Sequence, residues 1–297
     1  MRNSFKEKNT GLLVASDFKT VKYKTIYWLF FAILLIISIV CILPILWVFI
    51  SAFKDTSEFL SIPPTIIPKS FHPEKVGQVF SKLKFGIYYL NSFKLIIGSL
   101  FFCIVVNGLA GYVLSRLKPK GSGVIFTMIF WTMLLPTSLN MIPLFMSFVD
   151  VPLFHINLTN SFLPLWLMAG ANAFDVLLFR NFFNAIPHAY IEAAKIDGCS
   201  NFGIFWRIIV PLSRPILMVV SIFSVQASWG SFFWPYLVLK DTDKYPVSVI
   251  LYQFNEASLP IDQYMIVMML SILPVLILFS IFSKYIIDTS NMSGLKG

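Results

Sequence analysis

Charged residues are sparse in the second half of this chain, and several of them fall in one stretch, residues 187–215. Long apolar segments lie on both sides of this stretch, so it must leave the bilayer between two spanning helices. No metal-ligand spacing and no nucleophile–base set accompanies its charges, so these residue types favour polar contact with a partner over catalysis. The charged residues are Glu192, Lys195, Asp197, Arg207 and Arg214.

The residues that begin and end helices predict a helix, a turn and a second helix across this stretch. Pro187 suits the first turn of a helix over residues 188–196, where a missing N–H has no partner to lose. Gly198 can adopt the left-handed conformation that ends a helix, and Ser200 can cap the next one. Pro211 then closes the second helix before the chain re-enters the membrane. The sequence therefore predicts a short amphipathic elbow in solvent, a shape that fits a groove on a partner.

The spacing within this elbow resembles the EAA loop of ABC importer permeases, which reads Glu-Ala-Ala, three residues, Gly, nine residues and Ile-x-Leu-Pro. The resemblance implies docking of residues 189–205 in a cleft of a separate ATPase subunit. The glutamate would pair with a basic residue there, the alanines would allow close contact, and the glycine would set the bend. An ordinary amphipathic connector is the alternative. The residues concerned are Glu192, Ala193, Ala194, Asp197, Gly198, Ile208 and Pro211, with Val210 replacing Leu.

Composition indicates an integral membrane protein. Of the 297 residues 57% are hydrophobic and 12% charged, whereas a soluble domain carries about 25% charge. The formal net charge of +9 points to topology and anionic lipid rather than to nucleic acid. Cys41, Cys103 and Cys199 do not form a disulfide framework. The sequence has no Gly-Lys dipeptide, which excludes a phosphate-binding loop of the Walker type.

Six apolar runs predict an all-α integral membrane protein with six transmembrane helices, resembling the type I ABC importer permease (MetI-like) fold. The spans are expected at 25–53, 95–115, 121–149, 158–179, 215–239 and 263–283. A polar outer loop with a short interfacial helix is expected at 54–86. The units are a tail (1–26), a first helix with its outer loop (27–86), a permease core (87–285) containing the elbow loop (183–214), and a closing tail (286–297).

Several residues within the spans match the carbohydrate-type permeases. Asn91-Ser92 opens the second span and Gly111-Tyr112 with Arg116 closes it, in a pattern similar to the start of that family's core. The small residues Gly98, Gly108, Ala110 and Gly111 are expected to let helices approach closely. An aromatic stretch, Trp229 with Phe233, Trp234 and Pro235, resembles that of sugar-importer permeases, although Trp234 and Tyr236 also suit an interfacial belt.

Polar side chains in the apolar runs are candidates for a translocation path, because a polar group in hydrocarbon must face protein or a wet cavity. Pro136 and Pro143 are expected to bend the third span around two of them. Asp175 is expected to pair with Arg180 near the inner interface, which we favour over a role in binding solute. The path candidates are Asn107, Ser138, Asn140, Gln226, Ser228 and Trp229.

The distribution of charge predicts the orientation. With the elbow inside, most of the 23 Lys and Arg residues lie in inner segments, while the short outer turn at 150–157 has none. Both termini are therefore expected in the cytoplasm, and the resemblance places the chain in the cytoplasmic membrane of a prokaryote. The closing Gly294, Lys296 and Gly297 echo the tail of such permeases.

The resemblance implies a permease subunit of a binding-protein-dependent ABC importer, similar to the smaller permease of maltose-type systems, that moves a sugar or oligosaccharide. The chain itself would not be an enzyme and would bind no cofactor, since ATP and Mg would sit on the partner ATPase. The implied partners are a second permease subunit, an ATPase dimer, an extracytoplasmic solute-binding protein, a sugar substrate and membrane lipid. A type I permease for another solute and a stand-alone secondary transporter are the alternatives.

Overall fold

The computed structural model describes residues 21–63, 65–256 and 259–293, and all regular elements within those ranges are helical. Most of the basic N-terminal tail and the closing Gly294, Lys296 and Gly297 lie outside the described residues. The helices are α1 (Val21–Ser51), α2 (Thr56–Phe59), α3 (Glu74–Lys82), α4 (Phe85–Leu117), α5 (Ser122–Thr132), α6 (Thr137–Val149), α7 (Leu163–Gly170), α8 (Ala173–Ala185), α9 (His188–Ile196), α10 (Asn201–Leu212), α11 (Arg214–Gly230), α12 (Phe233–Val238), α13 (Val247–Glu256) and α14 (Ile261–Ser293).

The apolar helices provide between three and six candidate crossings of a membrane. Three of them, α1, α4 and α14, are each long and apolar enough to cross alone. Three bent pairs, α5–α6 (106°), α7–α8 (42°) and α10–α11 (84°), bring the number of candidate spans to six. In the last pair, α10 belongs to the polar elbow, so α11 is the apolar part of the candidate fifth span. The expected six-span, all-α architecture therefore agrees with the structure.

The breaks in the spans depart from the sequence prediction in three places. Pro136 lies immediately before α6, at the 106° break, whereas Pro143 sits inside α6 without interrupting it. The fourth span breaks at residues 171–172, between Gly170 and the N-cap residue Asn172, although the sequence predicts a continuous span there. The fifth span ends at Gly230, and α12 follows as a separate helix. The long outer loop contains two short helices, α2 and α3, where one was expected, and the loop before α14 contains the unexpected α13.

The buried side chains form two clusters at opposite ends of α4. One joins Phe85 and Leu95 of α4 to Leu165 of α7, Val238 of α12 and Ile266 of α14. The second joins the far half of α4 to α8, to the elbow and to the start of α11. The elbow is therefore packed on the end of one long helix, while the loops containing α3 and α13 pack on its other end.

Glycines let the helices approach as closely as expected at two positions. A Cβ on Gly111 would lie 2.6 Å from Phe179 Cβ and 3.0 Å from the backbone nitrogen of Arg180. A Cβ on Gly98 would lie 2.1 Å from the Trp166 ring. Gly111 therefore sets the distance between α4 and α8, because a backbone obstacle cannot rotate away as a side chain can.

Substitution of Gly111 by alanine should separate α4 from α8. Overpacking of this kind costs about 1–3 kcal/mol of folding free energy, so we expect a lower melting temperature of the detergent-solubilised chain. Gly108→Ala is the matched control on the same helix, since its Cβ would meet only Phe205 Cζ at an ordinary 3.5 Å. Equal melting temperatures for the two variants, measured by fluorescence-detected size exclusion, would contradict this role.

Candidate functional site: the exposed elbow

The predicted helix–turn–helix is present between the fourth and fifth spans. Pro187 lies immediately before α9, one position earlier than expected, and Gly198 has φ +77°, in the left-handed region. The Ser200 hydroxyl accepts a hydrogen bond from the N–H of Gly203 at 3.1 Å, which caps α10. Pro211 lies in the last turn of α10, which ends at Leu212. These contacts fix the angle between the two arms of the elbow.

The two alanines of the elbow face different surroundings. Ala194 is buried in the cluster beneath α9, together with Ile191, whereas Ala193 is exposed. The prediction that both alanines allow close contact with a partner is therefore corrected. The small side chain at Ala194 lets α9 pack onto its own chain, and Ala193 alone is available to an outside surface.

The outer surface of the elbow combines charge with large apolar side chains. Glu192, Asp197 and Gly198 are all exposed, so both acidic groups and the bend are accessible from outside the molecule. Ile196 is 86% exposed and Phe202 62% exposed in the same element pair. Exposed apolar side chains rimmed by charge are typical of an interaction surface.

The inner surface of the elbow is anchored by aromatic contacts. Phe205, 1% exposed, lies with its ring centroid 5.4 Å from that of Tyr112 on α4 and 6.4 Å from that of Phe183 on α8. Ile209 is fully buried beside it, while Ile208 is half-buried and Pro211 exposed. The base of the elbow is thus packed into the ends of two membrane helices.

An arginine clamp adds a polar connection between α4 and the elbow. Arg116 donates hydrogen bonds from Nη2 to the carbonyl oxygens of Phe183 and Ile186, the residues at the end of α8 and directly before Pro187. A cation is favoured at a helix C-terminus because it meets unpaired carbonyls there. Sequence reasoning used Arg116 only as the end of a motif. Its position at the close of an apolar run was the signal that could have indicated a contact with the next inner segment.

Asn107 of α4, in the second span, packs against the bend of the fourth span. It is 1% exposed, its Nδ2 donates to the carbonyl oxygen of Ala169 at 2.9 Å, and its Oδ1 accepts from the N–H of Asn172 at 3.2 Å. These bonds satisfy backbone groups freed where α7 ends and α8 begins. The geometry therefore supports a structural role for Asn107 rather than the contact with solute predicted from the sequence.

The other path candidates lie on exposed or half-exposed surfaces of two elements. Ser138 and Asn140 are exposed in the first turn of α6, beside the 106° break. Gln226 is exposed on α11, where Ser228 and Trp229 are half-buried. The Trp229 ring lies 6.3 Å from that of Tyr89 and 6.2 Å from that of Phe93, both on α4.

Asp175 does not pair with Arg180. The Asp175 carboxylate is buried and accepts a hydrogen bond from the Cys103 thiol at 3.2 Å. The Arg180 guanidinium instead lies 3.8 Å from the centroid of the Phe126 ring on α5. The expected ion pair is wrong because these residues lie five positions apart on α8, so their side chains point to different neighbours. Within the described ranges, no group of three His, Cys, Asp or Glu side chains is placed to hold a metal ion.

Residues 104–289 match the model of one protein family, described as the binding-protein-dependent transport system inner membrane component. The chain belongs to this family. The family assignment confirms the resemblance to ABC importer permeases and the six-span permease fold class. Membership also implies that the permease works with other ABC subunits and a substrate-binding protein, as a multi-pass inner membrane component.

Individual relatives match over most of this permease. The diacetylchitobiose uptake system permease protein NgcG of Streptomyces coelicolor is 28% identical over 86% of this chain and 84% of its own length. The sn-glycerol-3-phosphate transport system permease protein UgpE of Yersinia pestis is 27% identical over 87% and 94%. A chain from the crystal structure of a bacterial ABC transporter importing the acidic polysaccharide alginate superposes with a TM-score of 0.77 at 23% identity, covering 93% of this chain and 99% of that one. This last similarity concerns the fold.

Proposed function

We propose that this permease carries a sugar or oligosaccharide across the cytoplasmic membrane, with ATP hydrolysis confined to separate ATPase subunits. The proposal rests on the structure of the elbow. Its outer surface exposes charged and apolar side chains, and its inner side packs against α4 and α8. A surface that is both accessible and rigidly joined to spanning helices suits transmission of movement from a partner. ATP and Mg would be bound by that partner.

The coupling surface comprises the exposed face of α9 and the bend after it. Glu192 would pair with a basic residue of the ATPase, Ala193 would allow close approach, and Gly198 would hold the bend. Asp197, beside Gly198, is also exposed. Closure of the ATPase dimer would move the elbow, and Phe205 with Arg116 would carry that movement into α4.

A second permease subunit would complete the translocation path. Ser138, Asn140 and Gln226 are exposed, and their side chains make no hydrogen bond within the described part of the chain, although they lie in apolar helices. Polar groups in these positions need a wet cavity or a partner rather than lipid. The path would run between the two permeases past these residues, with Ser228 and Trp229 at its edge.

The elbow would face the cytoplasm, which places both termini inside. A solute-binding protein would then meet the opposite end of the bundle, where α3 and α13 lie. The charge distribution supports this orientation, because Arg116 and the basic residues of the elbow lie at the same end of the bundle.

The nature of the solute rests on the relatives. The relative named for diacetylchitobiose supports a sugar as the solute. The relative named for sn-glycerol-3-phosphate supports a second class, the glycerol phosphates. A stand-alone secondary transporter would require buried coupling charges in mid-membrane. Asp175 is the buried carboxylate that the described spans offer for such a role, and it is bonded to a thiol.

Purification of the chain from its own cell in mild detergent, followed by reconstitution in proteoliposomes, tests the proposal. We expect an ATPase and a second permease to co-purify. Sugar uptake should require both ATP and the cognate binding protein. Uptake of glycerol phosphate but not of sugars would overturn the solute class. A chain that transports alone without an ATPase would overturn the whole assignment.

A further inference from the structure

The loop between α1 and α3 folds back against the membrane end of α1. The centroid of the Phe71 ring lies 4.6 Å from that of Phe53, a residue just after the end of α1. The buried Lys54 ammonium lies 4.1 Å from the Trp47 ring centroid and donates a hydrogen bond to the carbonyl oxygen of Thr65. Because α1 is long enough to cross a membrane, these contacts hold the loop at the level of the lipid headgroups.

Acidic groups of the loop are turned inward. Glu58 is buried and accepts hydrogen bonds from the Thr65 hydroxyl and the Lys69 N–H, each at 2.9 Å. Asp55 accepts from Ser70 at 2.9 Å and pairs with Lys75. The backbone bond from Lys69 holds the pKa of Glu58 below its ordinary value, and the bond from Lys75 does the same for Asp55. Both carboxylates therefore stay ionised and order the loop from within.

The outward-facing surface of the loop is apolar. Five large side chains project from it and none is less than 65% exposed, with Ile62 at 99%. Residues 59–73 include no Asp or Glu, and Lys69 is their exposed cation. We name the five side chains the apolar loop tip: Leu60, Ile62, Ile66, Ile67 and Phe71.

We infer that the apolar loop tip inserts into the lipid interface beside α1 and anchors that end of the helix. Aliphatic and aromatic side chains bury their surface in the headgroup–acyl boundary, while a nearby lysine contacts anionic headgroups. The described side chains of α1 are exposed up to Pro44, whereas most of those in its last two turns are half-buried or buried, so the tip supplies exposed apolar surface at this end of the helix. Lipid is always present at this level, whereas a soluble binding protein would cover the tip only while docked.

A spin label on Ile62→Cys tests the inference in the full importer reconstituted in nanodiscs of phosphatidylethanolamine and phosphatidylglycerol. Cys41 and Cys199 would be replaced by serine, and the buried Cys103 retained. Because Ile62 is almost fully exposed, its replacement should not disturb folding. Gly77→Cys on α3 is the matched control, since its Cβ would meet nothing within 4 Å and it lies beside the exposed Glu74 and Gln78.

The expected result is that oxygen broadens the Ile62 label severalfold more than a water-soluble nickel chelate does, with the reverse order at Gly77. Equal access of the nickel chelate to both labels would place the tip in water and overturn the inference. Exclusion of both reagents from Ile62 would assign the tip to a subunit interface. Protection that appears only after the binding protein is added would assign it to that partner. The outcome does not depend on how the elbow functions.

Discussion

Replacing Gly198 with aspartate should abolish ATP hydrolysis coupled to transport while all spans still insert. Gly198 has φ +77° and an added Cβ would meet nothing within 4 Å, so the change strains the backbone locally but causes no steric clash. The new carboxylate would instead stand beside the exposed Asp197 on the surface proposed to enter the ATPase cleft. Like charges at an interface cost several kcal/mol, which corresponds to a loss of about 100-fold or more. Binding-protein-stimulated ATPase activity in proteoliposomes measures the effect.

Two control variants separate the docking role from backbone strain. Gly121→Asp places the same residue at φ +86°, also with nothing within 4 Å, but outside the elbow, and we expect normal coupling there. Gly198→Asn has a similar shape without the charge, and asparagine tolerates the left-handed conformation, so it should retain most of the activity. Normal coupling in Gly198→Asp, with the chain inserted, would remove the elbow from the mechanism.

Replacing Arg116 with glutamine should uncouple hydrolysis from transport. Arg116 bonds the carbonyls of Phe183 and Ile186, which lie just before the elbow. Hydrogen bonds from a charged group contribute about 1.5–3 kcal/mol each, so their loss would let the elbow move without α4. We expect at least about a tenfold fall in solute transported per ATP hydrolysed, with basal hydrolysis retained.

The conservative variant and a neighbouring arginine serve as controls. Arg116→Lys keeps one cationic donor and should restore part of the transport ratio. Arg214→Gln alters an exposed arginine at the start of α11 and should leave the ratio unchanged. If Arg116→Gln lowers transport and hydrolysis in equal proportion, together with the melting temperature, the arginine only stabilises the fold. That outcome would leave the test at Gly198 standing.

Local signals were sufficient to predict the elbow. Pro187, Gly198 and Ser200 each act through their own backbone or a neighbour within three residues. Gly198 and Ser200 lie where the helix-capping rules place them, and Pro187 lies one position before the expected first turn. The apolar runs were sufficient for six spans, because length and hydropathy alone decide whether a helix can cross. The glycine contact at Gly111 was also expected, since small residues mark close helix approach.

Features that depend on contacts between distant parts of the chain could not be predicted from the sequence. The break at residues 171–172 is held by Asn107, which lies far away in sequence. The orientation of Ala193 and Ala194 depends on which face of α9 meets the core. Asp175 accepts a hydrogen bond from Cys103 on another helix and does not pair with Arg180, which is nearby in sequence. The translocation path remains a prediction at Ser138, Asn140, Gln226, Ser228 and Trp229, because it depends on a second subunit with its own sequence.

Photo-crosslinking from Ala193 tests the central claim, that the elbow docks on an ATPase, most directly. A benzoylphenylalanine at the exposed Ala193 should form an adduct with the ATPase subunit on irradiation of intact membranes, identified by mass spectrometry. The same probe at the exposed Gln78, on α3 at the other end of the bundle, should give no such adduct. An ATPase adduct from Gln78 and none from Ala193 would contradict both the docking surface and the orientation.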